Sequence, residues 1–344
     1  MGAYAIRELS DPGWEKFVAG HPSATPFHHP GWVRLVAGCY GFRGFAVTAD
    51  DTTGEIRAGL PVVEVSHFRT GPKWVTLPFT DYCAPLASDP QGEADLVCAL
   101  QEASQAAGVR RVEVRAPLAG APVLGPAMFR HVISLEGGPE AVHRRFCRTA
   151  RQQVRQAQAK GVTVRRATRP EDITNVFYGL HARNRRRLGV PVQPRRFFQM
   201  LWDCVIDPGL GLVFIAEVSD RPVAAHVCLA WNGSMTDKFS ASDDAAWRMR
   251  PNHLIIWHAL QAACEIGCQA FDFGRTDASN EGLRAFKKTL GAVEEPLAYG
   301  VLGAEPESAA ARLCTARRLL RSAIRHGPLV LCRAVGEALY RYSA

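Results

Sequence analysis

The sequence predicts a mixed α/β (α+β) fold of two tandem domains, each a mixed sheet flanked by helices, followed by a helical C-terminal tail. Three observations predict it. The chain has 344 residues, about two domains at roughly 150 residues each. Its second half reads strand, helix, helix, three strands, helix, strand, helix, strand, and its first half follows a similar order less sharply. With 47% hydrophobic and 22% charged residues, the composition supports a sizeable core. The expected divisions are 1–150, 151–304 and a basic helical tail at 305–344.

In the first half, Asp11 to Ala19 and Pro30 to Tyr40 read as helices, the second entered through Pro30 with Trp32, Leu35 and Val36 on one side. Phe45 to Thr48 and Ile56 to Val65 read as strands joined by the turn Asp50 to Gly54. Trp74 to Pro78 and Tyr82 to Leu86 read as short strand or loop pieces. Glu93 to Ala107 is a helix stopped by Gly108, and Arg111 to Arg115 alternates as a strand does.

Gly138 to Gly161 reads as one helix closed by glycine. Along it Arg144, Arg148, Arg151 and Arg155 fall at i, i+4, i+7 and i+11, hence on one face. Such a stripe is either a solvated face or a rail for phosphates. Next come a strand Val162 to Arg166, helices Asp172 to Arg187 and Pro194 to Val205, and strands Leu212 to Val218, Val223 to Trp231 and Ser234 to Ser240. A helix Asn252 to Ile266, a strand Ala270 to Phe273, a helix Glu281 to Leu290 and a strand Pro296 to Leu302 complete the half. In the tail, Leu313, Leu320 and Ile324 share one side, with Arg317, Arg318, Arg321 and Arg325 also present. That pattern suits packing on the body or peripheral contact with a lipid surface.

Several classes are excluded. Met1 to Glu8 lacks the basic segment and apolar run of a secretory signal, and no stretch approaches the ~20 apolar residues of a membrane span. A cytoplasmic protein is expected. Cys264 and Cys268 lie four apart on an apolar helix with no second ligand pair at metal-site spacing, so reduced thiols and no metal are expected. The net charge of +8 favours polyanionic partners without choosing among them.

The chemistry concentrates between Arg250 and Lys288. Asn252 has the type of an N-cap residue, and a helix N-terminus there presents N–H groups to an anion. Acetyl-CoA-dependent enzymes of the GNAT fold carry a glycine-rich pyrophosphate loop at this place, where this chain has Arg-Met-Arg-Pro-Asn-His. Asp272 lies in a short strand on the opposite face from Phe271 and Phe273, and Gly274 permits a sharp exit toward Arg275 and Asp277. The bland alternative is an Asp–Arg pair bracing the loop. A cation at Lys287 suits a developing oxyanion or a phosphate.

Phe271-Asp272-Phe273-Gly274-Arg275-Thr276, a polar insert, then Gly282-Leu283-Arg284-Ala285-Phe286-Lys287-Lys288-Thr289-Leu290-Gly291 resembles the signature of the Fem (FemABX) family and its GNAT-like relatives. The resemblance continues at Pro30-Gly31-Trp32, at Leu77 to Tyr82, at Val112 to Arg115, at Arg186 to Pro191 and at Arg250-Pro251-Asn252. It implies two GNAT-like domains and transfer of an amino acid from aminoacyl-tRNA to an amine. It implies that Phe286 and Lys287 are the family's Phe–Lys pair, the lysine stabilising the tetrahedral intermediate or the terminal adenosine of tRNA. It matches Arg186 and Arg275 to phosphate-holding positions and Arg34 to a cationic substrate contact. Asp81 and Tyr82 fall in the acceptor loop, where Cys83-Ala84 replaces the Gly-Gly common among relatives.

The expected reaction is aminolysis of an activated ester. Lys287 serves the oxyanion or donor, Asp272 or Asp277 orients the amine or takes its proton, and Arg144, Arg148, Arg151 and Arg155 hold tRNA. No cofactor is expected beyond aminoacyl-tRNA as co-substrate. Two rivals stand beside this: an acyl-CoA-dependent N-acyltransferase on the same fold, and a non-catalytic RNA-binding protein. The sequence shows no Gly-x-Ser-x-Gly elbow, and its histidines, including His28 and His29, are expected to be structural.

Overall fold

The computed structural model describes residues 4–67, 71–303 and 310–343. The chain forms two compact units, one of residues 1–129 with 296–307, the other of 130–295 with 308–343. The chain thus passes between units at Phe129 and Arg130 rather than near residue 150, and the tail groups with the second unit.

The first unit contains β1 (Tyr4–Arg7), α1 (Pro12–Gly20), α2 (Pro30–Tyr40), β2 (Arg43–Asp50), β3 (Ile56–His67), β4 (Gly71–Val75), β5 (Leu86–Ala87), α3 (Pro90–Ala106), β6 (Arg111–Val114) and the start of β7 (Val123–Ser134). Local chemistry sets these boundaries. Asp11 caps α1 by accepting from the Trp14 N–H at 2.8 Å, and Asp89 caps α3 through Gly92 at 2.7 Å. Strands β1 to β4 pair antiparallel in order, and β4 then lies parallel to β6. Pattern reading missed β1 for its brevity and β7 for its internal Gly125 and Pro126, which argue against a strand.

The second unit contains the end of β7, α4 (Gly138–Arg145), α5 (Arg148–Ala159), β8 (Val162–Arg166), a π-helical turn (Asp172–Phe177) running into α6 (Tyr178–Leu188), α7 (Arg195–Leu201), β9 (Gly211–Val218), β10 (Arg221–Trp231) and β11 (Ser234–Ser242). After a short 3₁₀ turn (Asp244–Met249) come α8 (Pro251–Glu265), β12 (Ala270–Asp272), β13 (Thr276–Asp277), α9 (Glu281–Thr289), β14 (Val293–Gly303), α10 (Ala310–His326) and α11 (Leu329–Leu339). Strands β8 to β11 pair antiparallel in order, β11 lies parallel to β12 across the α8 crossover, and β12 pairs antiparallel with β7. Both units therefore follow an antiparallel run with one parallel step bridged by a helix.

The helix expected over Gly138 to Gly161 is two helices. Phe146 and Cys147 between them are extended, with ψ of 138° and 160°, and the Cys147 N–H is drawn off to the Thr289 carbonyl at 2.9 Å. Phe146 is buried against Trp257 at that corner. The core of the second unit lies between α5, α8 and one face of the sheet, where Ala224, Cys228, Phe214, Leu254, Ile255 and Phe271 pack together. Phe177, Phe197, Phe198 and Phe239 make a separate aromatic cluster with ring centroids 5.3 to 6.4 Å apart. Helix α11 docks on this unit through Gly336, whose α-carbon faces the Val192 carbonyl so closely that no Cβ fits. Ile324 of α10 is buried; the side chains of Leu313 and Arg317 lie outside the described residues. Among the described residues no helix is long and apolar enough to cross a membrane.

Candidate active site

The signature from Phe271 to Lys288 folds as one clasp in the second unit. Strand β12 pairs with β11 only along Ser234–Thr236, and Gly274, at φ +71°, then turns the chain away. Asn280 starts α9 by capping the Leu283 N–H at 3.2 Å. One turn from its end, Lys287 is 5% exposed and donates from Nζ to the Gly274 carbonyl and to Thr276 Oγ1, both at 2.8 Å. From the other side, Asp272 Oδ1 accepts the Gly274 N–H at 2.8 Å, and its Oδ2 accepts from Arg130 Nε at 2.7 Å. Asp272 is 5% exposed, so the bracing Asp–Arg pair exists, with Arg130 as the partner.

A second set of charges locks the clasp. Glu294 accepts from Nε and Nη2 along one edge of the Arg284 guanidinium, both at 2.8 Å, and from Lys288 Nζ at 2.9 Å. These hydrogen bonds and charges, Arg284 first, hold the Glu294 carboxyl well below the usual carboxylate range. Arg284 also donates to the Ala278 carbonyl at 3.0 Å. Buried His131 meets Glu294 through Nε2 at 3.1 Å. Burial foremost, and Lys287 next, lower its pKa and favour the neutral ring. Phe286 sits partly buried against the core, its ring edge-to-face with His253 at 5.1 Å. Burial and then Arg250 push His253 down to about 4.

The other expected residues of this unit are dispersed over it. Arg275 and Asp277 are exposed. Asn252 is not the N-cap of α8: Pro251 takes the first helical position and Arg250 the cap, at φ +61°, while Asn252 reaches Ser242 Oγ at 3.4 Å. Proline at that position needs no N–H partner and pre-sets φ, which moves the cap two residues back, from Asn252 to Arg250. Arg186, on α6, is half buried, and its Nε is enclosed without a partner. Because the helix carrying the arginine stripe is broken, Arg144 belongs to α4 while Arg148, Arg151 and Arg155 belong to α5. The stripe survives in part: Arg151 donates to the Arg144 carbonyl at 3.1 Å, and Arg151 and Arg155 both lower the pKa of His143 after burial.

In the first unit, Trp32 Nε1 donates to Thr80 Oγ1 at 2.9 Å, which ties the Pro30–Trp32 motif to the Leu77–Tyr82 motif. Leu77 and Phe79 both take left-handed backbone, φ 63°, a cost that surrounding packing must offset. Buried His28 holds the Ala84 carbonyl through Nε2 at 2.8 Å, and burial lowers its pKa to about 4. It is thus a brace of the loop around Ala84. The Asp81 carbonyl accepts from Tyr299 Oη at 2.7 Å, and Tyr82 packs beside Met128, Leu297 and Tyr299. Arg34 is exposed and lies 4.0 Å from Glu15.

Sequence reading missed one pair. His226 on β10 is 3% exposed, with Nδ1 3.0 Å from Asp237 Oδ2, while its Nε2 is enclosed without a partner. Asp237 reaches it because Lys238 bulges out of β11. A carboxylate that fixes one imidazole tautomer leaves the other nitrogen as a proton acceptor. The available signal was a histidine inside the otherwise apolar run Val223 to Trp231.

Residues 143–288 match the acetyltransferase (GNAT) domain family. No match is found among curated proteins. Among solved structures, the chain is similar to FemX, with a TM-score of 0.69, 13% identity, and 86% of this chain and 96% of that one covered. It is also similar to L-PGS from Bacillus licheniformis (TM-score 0.55, 14% identity, 93% and 99% covered) and to a tandem GNAT protein from the clavulanic acid biosynthesis pathway (TM-score 0.53, 12% identity, 90% and 100% covered). The tandem, Fem-like GNAT fold expected from the sequence is the fold of this chain. Fold and domain match together define its class, a GNAT-fold acyltransferase.

Proposed function

We propose that this acyltransferase moves an aminoacyl group from aminoacyl-tRNA to an amine acceptor, a natural-product intermediate or cell-envelope precursor, and forms an amide. The observation that carries the reading is the Gly274 clasp. Lys287, the end of the short strand at Asp272 and the sharp turn at Gly274 are tied together by hydrogen bonds, with a buried ammonium at the centre. A rigidly held cation suits charge that develops on a carbonyl oxygen. The fold shared with FemX supports the same reading.

The amine attacks the ester carbonyl, the oxyanion collapses, and the 3′-oxygen of the tRNA leaves with a proton. Lys287 stabilises the oxyanion or the donor end, and Arg144, Arg148, Arg151 and Arg155 carry donor phosphates. Asp272 or Asp277 orients the amine or takes its proton, and His226, oriented by Asp237, is a further candidate acceptor.

A second reading, transfer from an acyl-CoA, draws on the acetyltransferase domain match. The entry to α8 weighs against it. Arg250 occupies the left-handed position, and Pro251 contributes no N–H at the helix start. The deciding experiment offers the protein pooled radiolabelled aminoacyl-tRNAs and, separately, acyl-CoAs, each with a panel of amines. Label moved from tRNA and lost in Lys287→Ala supports the proposal. Turnover of a thioester with charged tRNA untouched refutes it.

A further inference from the structure

The tail docks by one face of each helix and leaves the other face open. Along α11 and the turn that ends it, Cys332, Gly336 and Tyr340, four apart, are buried, and Cys332 Sγ donates to the Val190 carbonyl at 3.5 Å. Val330, Ala334 and Ala338, also four apart, fall on the opposite face and are exposed, Val330 at 69%. Leu339 and Tyr342 are exposed as well.

The two charged side chains within α11 do not serve that open face. The Arg333 guanidinium lies 5.4 Å from the centre of the Tyr178 ring, and Glu337 Oε1 accepts the Arg195 N–H at 3.0 Å. Both therefore bend back to the body. A helix on a water-facing surface ordinarily turns its charges outward and its apolar stripe inward. Here the outward face is the apolar one, which marks an interaction surface. The apolar side read from the sequence of α10 ends in buried Ile324 and packs on the body, so the open apolar face is a different one.

Helix α10 supplies charge. Arg318, Arg321 and Arg325, at i, i+3 and i+7, are exposed on the side away from Ile324, and Leu319, 68% exposed, follows Arg318. Residues 310–343 hold seven arginines against one acid, Glu337, a surplus of six in a chain whose net charge is +8. The last turn of α10, with Arg325 and His326, leads through Gly327 and exposed Pro328 into Leu329, Val330 and Leu331. Cations thus border the apolar start of α11. At its other end Arg341 is exposed, 5.5 Å from the centre of the Tyr342 ring.

We infer that the outer face of α11, bordered by the arginines of α10 and by Arg341, docks on an anionic lipid surface, with the helix lying in the plane of the headgroups. Apolar side chains beside arginines match the acyl boundary and the anionic headgroups of such a surface together. A second copy of the chain would bring the same arginine surplus to the face and meet repulsion. A dissolved polyanion gains nothing from Val330 and Leu339. The inference concerns where the chain binds and stands whether or not it moves an aminoacyl group.

The test measures flotation of the full chain with vesicles of phosphatidylcholine alone and of phosphatidylcholine mixed with phosphatidylglycerol. The expected result is binding to the mixed vesicles only, weakened by added salt. Val330→Ser combined with Leu339→Ser weakens it roughly tenfold. Arg318→Ala and Arg341→Ala each weaken it roughly fivefold. All four positions are exposed, so urea midpoints stay at the native value and the loss reads docking rather than folding. Arg221→Ala, at an exposed arginine outside the tail, leaves binding unchanged. No binding to the mixed vesicles, equal binding to both kinds, full binding by the double serine variant, or a loss in Arg221→Ala equal to that in Arg318→Ala overturns the inference. A dimer in sedimentation velocity that the double serine variant abolishes gives the face to a second copy and overturns it too.

Discussion

Lys287 and Asp272 hold one residue between them: the amine of Lys287 takes the carbonyl of Gly274, and the carboxylate of Asp272 takes its N–H, each at 2.8 Å. Both backbone groups of the turn are thus satisfied by the two side chains for which a chemical role is proposed. Neither side chain can be altered without loosening the other's grip. Replacing Lys287 by Ala leaves a buried carbonyl and the Thr276 hydroxyl without their donor. The expected cost is about 1–3 kcal/mol of stability, read from urea unfolding midpoints. In a transfer assay at a temperature where the variant stays folded, activity should still be lost. A variant as stable as the native protein would show that the clasp holds nothing.

Glu294 supplies a pH test. Its carboxyl is held below the ordinary value of about 4.3 by Arg284 and Lys288. A depressed acid stabilises the fold above its unfolded pKa, and that stability drains as pH falls through the ordinary carboxylate range toward the lower folded value. Glu294→Gln should therefore unfold more easily than the native chain at pH 7, with the gap narrowing as pH falls below about 4. Urea midpoints measured from pH 7 to pH 3 would show it; a gap that stays constant with pH would deny the charge its role.

Buried histidines act in the same direction by another route. His28 and His253 titrate at about 4 in the folded chain against about 6.5 when unfolded. Between those values the unfolded chain takes up protons that the folded chain refuses, so stability falls as pH drops from 6.5 to 4. For His28, fully enclosed, the loss is about 3 kcal/mol. His28→Gln should flatten that part of the stability profile, although the variant starts less stable for want of a full brace on Ala84.

Phe286 is expected to act through packing. Its ring joins α9 to α8 through His253. Phe286→Ala should cost about 2–4 kcal/mol and, by freeing α9, lower the maximal rate more than it changes affinity for either substrate. Phe286→Leu should restore most of the stability. Steady-state kinetics with both substrates varied would separate these effects.

The tail offers a steric test. Gly336→Ala places a methyl group against the Val192 carbonyl, and α11 cannot dock without shifting. Limited proteolysis should then cut within the tail at protease levels that leave the native chain intact. Equal resistance would mean that the helix accommodates the methyl group.

Much of this was legible in the sequence. Helix α2, strands β8 and β11, the turn at Gly274 and the run from Gly282 to Gly291 follow from apolar spacing, glycine placement and proline at a helix start, all of which act between residues a few positions apart. The sequence by itself determined the tandem architecture, and it singled out the run between Arg250 and Lys288, with Lys287, as the place proposed for the chemistry. What it could not reveal depends on distant partners. The break at Phe146 exists because a ring is buried against Trp257, and local helix propensity carries no sign of that. That Arg130 braces Asp272, that His226 meets Asp237 beside a bulge, and that Gly336 of the tail packs on the Val192 carbonyl were decided by the tertiary structure alone. Each joins elements whose register and packing are fixed only when the apolar faces close. A polar side chain finds its partner after the core has chosen which strands and helices are neighbours.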